Sequence, residues 1–122
     1  MRLKILVMVA TLILATTTAT AAAKVQPKTV YDSIRQGETD WFYQYISSSS
    51  FNVYLIWNNP SNSLTLTIYS PNGEHQTFWD SSDGKVDGKI ILTIKNAEQD
   101  IWYFRVYGEK VTGVQYYSFT VI

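Results

Sequence analysis

Five stretches of this chain alternate with a period of two. FNVYLIW at 51–57 sets Phe51, Val53, Leu55 and Trp57 against Asn52, Tyr54 and Ile56. LTLTIY at 64–69 sets Leu64, Leu66 and Ile68 against Thr65, Thr67 and Tyr69. IILTI at 90–94 separates Ile90, Leu92 and Ile94 from Ile91 and Thr93. IWYFRVY at 101–107 separates Trp102, Phe104 and Val106 from Ile101, Tyr103, Arg105 and Tyr107, and YYSFTV at 116–121 separates Tyr117, Phe119 and Val121 from Tyr116, Ser118 and Thr120. Successive side chains of a strand point to opposite faces, so this period predicts strands with one buried face. No segment beyond the N-terminal leader keeps a helical period of useful length. In GETDWFYQYI at 37–46 parity does not choose a buried face: Trp41, Tyr43 and Tyr45 oppose Phe42, Gln44 and Ile46.

The connectors agree with strands. Ser70-Pro-Asn-Gly73 is a turn between two strand-like runs, Trp57-Asn-Asn-Pro-Ser-Asn-Ser63 and Ser47–Ser50 are loops, and Gly108 and Gly113 bracket a short link. Turns at roughly 8–12-residue spacing predict an all-β, antiparallel β-sandwich of seven to eight strands.

The first residues, MRLKILVMVATLILATTTATAAAK, read differently. Arg2 and Lys4 precede an apolar run from Ile5 to Ala15, and Ala19-Thr20-Ala21 and Ala21-Ala22-Ala23 offer small-x-small cleavage sites. That order predicts a signal peptide over residues 1–23 and a single domain over 24–122. The rival is an uncleaved anchor, but the apolar run falls short of the roughly 20 residues a membrane span needs. There is no cysteine, which excludes disulfides and acylation at cysteine. A small exported domain of this kind depends on its core or on a metal. All 18 aromatic residues fall between Tyr31 and Phe119, so the core has large rings to draw on.

Removing Arg2 and Lys4 from ten basic residues leaves eight against ten acidic ones. Lys85, Lys89, Lys95, Arg105 and Lys110 are scattered, so no basic face is available for phosphates, and a nucleic-acid role is excluded. His75 is the single histidine, at the exit of a turn, and no G-x-S-x-G elbow is present. Nucleophilic catalysis and a zinc site therefore both lack their parts, and the chain reads as no enzyme.

Two groups of residues remain as candidate sites. If Trp102, Phe104 and Val106 are buried, then Tyr103, Arg105 and Tyr107 face outward together, with Tyr54 and Tyr69 on comparable faces of their own strands. Rings with hydroxyl tips suit sugar stacking and polar protein surfaces. The bland alternative is that these tyrosines are ordinary cross-strand pairs. The second group is FWDSSDGKVDGKI at 78–90. Asp80, Asp83 and Asp87 could supply oxygens to calcium, which takes six to eight of them. The spacing departs from the EF-hand pattern, and Lys85 and Lys89 lower the local negative potential. The competing reading is two turns, with Asp83-Gly84 and Asp87-Gly88 as turn dipeptides and glycine at positive φ. No cofactor is required on this reading, and calcium is an optional ligand.

QGETDWFYQYI, LTIYSPNG, WYFRVYG and YYSFTV, taken in that order, resemble the pre-peptidase C-terminal domain. They look still more like small secreted proteins of methanogenic archaea that carry such a module. The likeness extends over residues 29–122. It implies a jelly-roll-like sandwich that accompanies exported enzymes without being catalytic, in a fold whose relatives bind calcium and matrix polymers. This chain has no room for a peptidase, so any accessory role would act in trans. The expectation is a non-catalytic binding or accessory module, secreted or at an archaeal cell surface, with no membrane span after signal cleavage. Its ligand would be a glycan, an envelope polymer or an exported protein. The alternative is an envelope component that works by self-association.

Overall fold

The computed structural model describes residues 29–122; the leader at 1–23 lies outside the described residues. Eight strands follow in order: β1 (Thr29–Ile34), β2 (Thr39–Tyr45), β3 (Ser50–Trp57), β4 (Ser63–Tyr69), β5 (His75–Trp79), β6 (Lys89–Lys95), β7 (Ile101–Lys110) and β8 (Gln115–Val121), with one 3₁₀ turn at Asp80–Asp83. They form two antiparallel sheets, β1-β8-β3-β6 and β2-β7-β4-β5. Each pair of sequential strands from β1–β2 to β7–β8 divides between the sheets except β4–β5, which forms a hairpin within one sheet. This is the jelly-roll order, two Greek keys wrapped on each other. Among the described residues no helix is long and apolar enough to cross a membrane.

The alternation read from the sequence decides what lies between the sheets. Phe51, Val53, Leu55 and Trp57 of β3 and Tyr117, Phe119 and Val121 of β8 meet Leu64, Leu66 and Ile68 of β4 and Trp102, Phe104 and Val106 of β7. Phe42 stacks on Phe119 with ring centroids 4.9 Å apart, and Phe104 lies 5.3 Å from Phe119. Aromatic contacts of this kind join the two layers beyond their buried area.

The face of β2 that parity left open is settled here. Asp40, Phe42, Gln44 and Ile46 point inward, and Trp41 and Tyr43 outward. Two of the four inward residues are polar, which is why the pattern was ambiguous. Asp40 is fully buried, and its Oδ2 accepts a 2.5 Å hydrogen bond from the Tyr117 hydroxyl across the sandwich. A buried carboxylate needs such a donor to offset its lost hydration.

One end of the sandwich is tied by side chains. Asn62 Nδ2 donates to Gln115 Oε1, Gln115 Nε2 donates to Asn58 Oδ1, and Trp57 Nε1 donates to the Asn62 carbonyl. The same end holds the crossing from β5 to β6. There Gly88 has φ +78°, and a Cβ at this position would lie 2.5 Å from the Trp57 carbonyl oxygen, so only glycine fits.

Candidate functional site

The outer face of β2-β7-β4-β5 carries three rows of side chains, fixed by strand register. The first row runs Tyr43, Tyr103, Tyr69, His75 across all four strands. The second runs Trp41, Arg105, Thr67, Thr77, and the third Thr39, Tyr107, Thr65, Trp79. Three strand spacings of about 4.8 Å make the first row about 14 Å long. Its rings touch: Tyr43 and Tyr103 have centroids 5.8 Å apart, and Tyr69 and His75 stack at 5.0 Å. Trp41 leans across β7 to reach Tyr69 at 5.4 Å.

Tyr103 is 46% exposed, and Trp79 at the sheet edge is 47% exposed. The floor between them is closed. Thr67 is 1% exposed although it points away from the core, because the neighbouring side chains cover it, and its hydroxyl pairs with that of Thr77 at 2.8 Å. Packing against its neighbours raises the Tyr43 pKa, through burial first and the nearby Tyr103 second. Tyr43 therefore stays a neutral hydroxyl, able to donate and accept, through the ordinary pH range. Arg105 sits inside this frame with Tyr103 and Tyr107 on its own strand and Trp41 and Thr67 on the strands beside it.

Of the residues expected to face outward together, Tyr103, Arg105, Tyr107 and Tyr69 share this sheet. Tyr54 does not. It lies on β3, where its register partners are Ile91 and Thr120, and so occupies the outer face of the opposite sheet. Periodicity gives the side of a strand but not the sheet to which the strand belongs, and that is the physical reason for the difference. Three members of the platform were missed: Trp41, Tyr43 and Trp79. A signal for the first two existed, since Trp41 and Tyr43 share parity, but the polar Asp40 and Gln44 obscured it.

The 78–90 segment is a turn and a crossing. Asp80 is buried, and its Oδ2 accepts from Gly88 N at 2.8 Å while Oδ1 accepts from Asp87 N at 3.1 Å. Ser82 Oγ accepts from Trp79 N at 2.8 Å. Gly84 and Gly88 have φ of +89° and +78°, as the turn reading of both Asp-Gly pairs requires. The Asp83 side chain lies outside the described residues. Asp80 and Asp87 meet through a backbone amide. Among the described residues no group of three His, Cys, Asp or Glu side chains could hold a metal ion.

His75 borders a shallow depression lined by Ile68, Asn72, Glu74, Phe78 and Trp102, in which Glu74 is the one carboxylate.

The fold is shared with solved structures at low identity. The pre-peptidase C-terminal domain of the collagenase from Bacillus anthracis superposes with a TM-score of 0.58 at 18% identity, covering 77% of this chain and 87% of that one. The copper-binding surface protein CorA of Methylomicrobium album BG8 gives 0.56 at 8% identity, covering 78% of this chain and 92% of that one. The periplasmic inhibitor of g-type lysozyme from Aeromonas hydrophila, PliG, gives 0.52 at 13%, covering 76% and 82%. No family model matches the chain. At the level of sequence, an uncharacterized protein of Archaeoglobus fulgidus is 60% identical over 57 residues, which are 47% of this chain and 83% of the archaeal protein. Identity at that level over most of the archaeal protein places both in one family, and this chain belongs to it.

Proposed function

We propose that the chain is a non-catalytic binding module that acts outside the cytoplasm, with the outer face of β2-β7-β4-β5 as its ligand surface. A glycan is the ligand class that suits this surface best, ahead of another envelope polymer or an exported protein. The observation that carries the reading is the row Tyr43, Tyr103, Tyr69, His75, continuous across all four strands, with Tyr103 46% exposed. A row about 14 Å long offers stacking faces and hydroxyls to several consecutive sugar rings. The fold neighbours lend support of a general kind, since one of them is a surface-associated copper-binding protein and another is a periplasmic inhibitor of g-type lysozyme. The order of residues 1–23, basic then apolar then small, is what supports export.

The test is a binding assay on immobilised glycans and on envelope fractions of the producing cell. Wild type is compared with a Tyr103→Ala, Tyr107→Ala double variant checked for an unchanged melting temperature. Loss of binding in the double variant is expected; full retention would remove the platform from consideration.

A second reading, self-association as an envelope component, is favoured by one observation on the other sheet. Tyr31, Tyr116, Ile56 and Ile91 are all exposed on the β1-β8-β3-β6 face. Sedimentation of wild type across a concentration series separates the two readings.

A further inference from the structure

We propose that the aromatic face selects acidic polysaccharides, with Arg105 as the residue that meets the sugar carboxylate. This rests on the binding-platform reading above. The platform is nearly free of charge. Across the three registered rows and the flanking Tyr45–Ile101 pair, Arg105 is the only Lys, Arg, Asp or Glu that faces outward. It sits on a central strand, between Tyr103 and Tyr107 and beside Trp41. The Arg105 side chain is part-exposed, yet its Nε is sealed from water and has no hydrogen-bond partner among the described residues. The stem is thus clamped, and the terminal fork is the accessible end.

A clamped guanidinium has lost little further freedom to lose on binding, and it faces an apolar surround in which its attraction for an anion is only partly screened. With no carboxylate on the face to answer it, the counter-charge is left to a ligand. Its planar fork matches a carboxylate in a bidentate arrangement, which a neutral hydroxyl cannot reproduce. Arg105 stands one row from the four-ring row, about 6.8 Å along the strand. A sugar ring lying on Tyr103 therefore presents a ring-borne carboxylate toward Arg105, and a polymer repeats that group along the row.

The experiment is isothermal titration of the full chain with polygalacturonate and with alginate, each beside its carboxyl-reduced counterpart. Wild type is expected to prefer each acidic polymer by about ten-fold at low salt, with the preference shrinking as sodium chloride is raised. Arg105→Gln is expected to lose the preference, binding acidic and reduced polymers equally. Equal binding of both forms by wild type would overturn the acid selectivity while leaving the platform standing. Binding to no polymer of either form would overturn both. A preference that survives Arg105→Gln would place the carboxylate elsewhere and overturn the assignment to Arg105. The wild-type comparison decides selectivity even if the variant fails to fold.

Discussion

On the β1-β8-β3-β6 face Tyr31 and Tyr116 line one shallow depression with Ile56, yet neither ring stacks on another among the described residues. Tyr31 is 81% exposed and faces Ser118 in register, and Tyr116 is 69% exposed and faces Ser33. On the β2-β7-β4-β5 face, tyrosines of three adjacent strands fall in one register row and lean on one another or on Trp41 and His75. Both faces draw on the same residues, tyrosine and threonine with a few aliphatics. The difference is made by register. A ring opposite serine remains a loose, solvated side chain that must be ordered on binding, whereas a ring held by neighbouring rings is already ordered. Exposure alone would rank the first face as the better binder, and pre-organisation ranks the second.

The comparison can be broken most directly where the chain passes from one sheet to the other. Asp80 holds the β5–β6 crossing by two backbone amides, so Asp80→Ala leaves buried donors unsatisfied. A loss of about 2–3 kcal/mol is expected, a fall in melting temperature of roughly 10–20 °C by thermal melt. A smaller loss would mean that the crossing is held by something other than this carboxylate. Next in size is the contrast between faces. Tyr43→Ala with Tyr103→Ala is expected to weaken glycan binding by about ten-fold or more, whereas Tyr31→Ala with Tyr116→Ala leaves it unchanged in the same titration. Equal losses from the two pairs would erase the distinction between the faces.

The floor beneath the rings gives a finer test. Thr67→Val removes the hydroxyl pair with Thr77 at constant shape, and a cost of about 1 kcal/mol in urea unfolding is expected. A further effect concerns Tyr43, whose raised pKa ties stability to alkaline pH. Its contribution is fully present below the ordinary tyrosine range, because both folded and unfolded states then hold the proton. It is lost as pH rises from the unfolded value through the folded one. Tyr43→Phe should flatten that part of the stability profile above about pH 10, as read by denaturant melts at several alkaline pH values. The smallest expected effect is that of calcium. With Asp80 already engaged by amides, melts in millimolar calcium and in chelator are expected to coincide; a calcium-dependent rise would return Asp80, Asp83 and Asp87 to a metal site.

Much of the sandwich was legible because β3, β7 and β8 each bury one apolar face, and β4 and β6 keep the same apolar period even though β4 is buried on both faces and β6 fully buries Ile90 alone. The short β5, HQTFW, lacked that signal: it is an edge strand whose residues are all exposed or half-buried. Edge strands are commonly short and polar, which guards against pairing with other chains. The candidate site was legible in part. Tyr103, Arg105 and Tyr107 lie on one strand, so period two sufficed to group them. Tyr54 and Tyr69 required knowledge of which strands are neighbours, and that is set by long-range packing rather than by local pattern. Asp80 shows the same limit from the other side, since its partners are amides seven and eight residues away that composition does not reveal.

The pairing of β1 with β8 bears on how the molecule comes into being. β8 lies between β1 and β3, so the sheet β1-β8-β3-β6 has no continuous centre until Gln115–Val121 has been synthesised. A growing chain that stops before those residues leaves β1 without a partner and the faces of Phe42 and Phe104 without Phe119. Folding is therefore postponed until Gln115–Val121 is available, and it proceeds through contacts between distant parts of the chain, which are slow to form. β8 thus acts as a latch: the two layers close on each other only once Gln115–Val121 is in place.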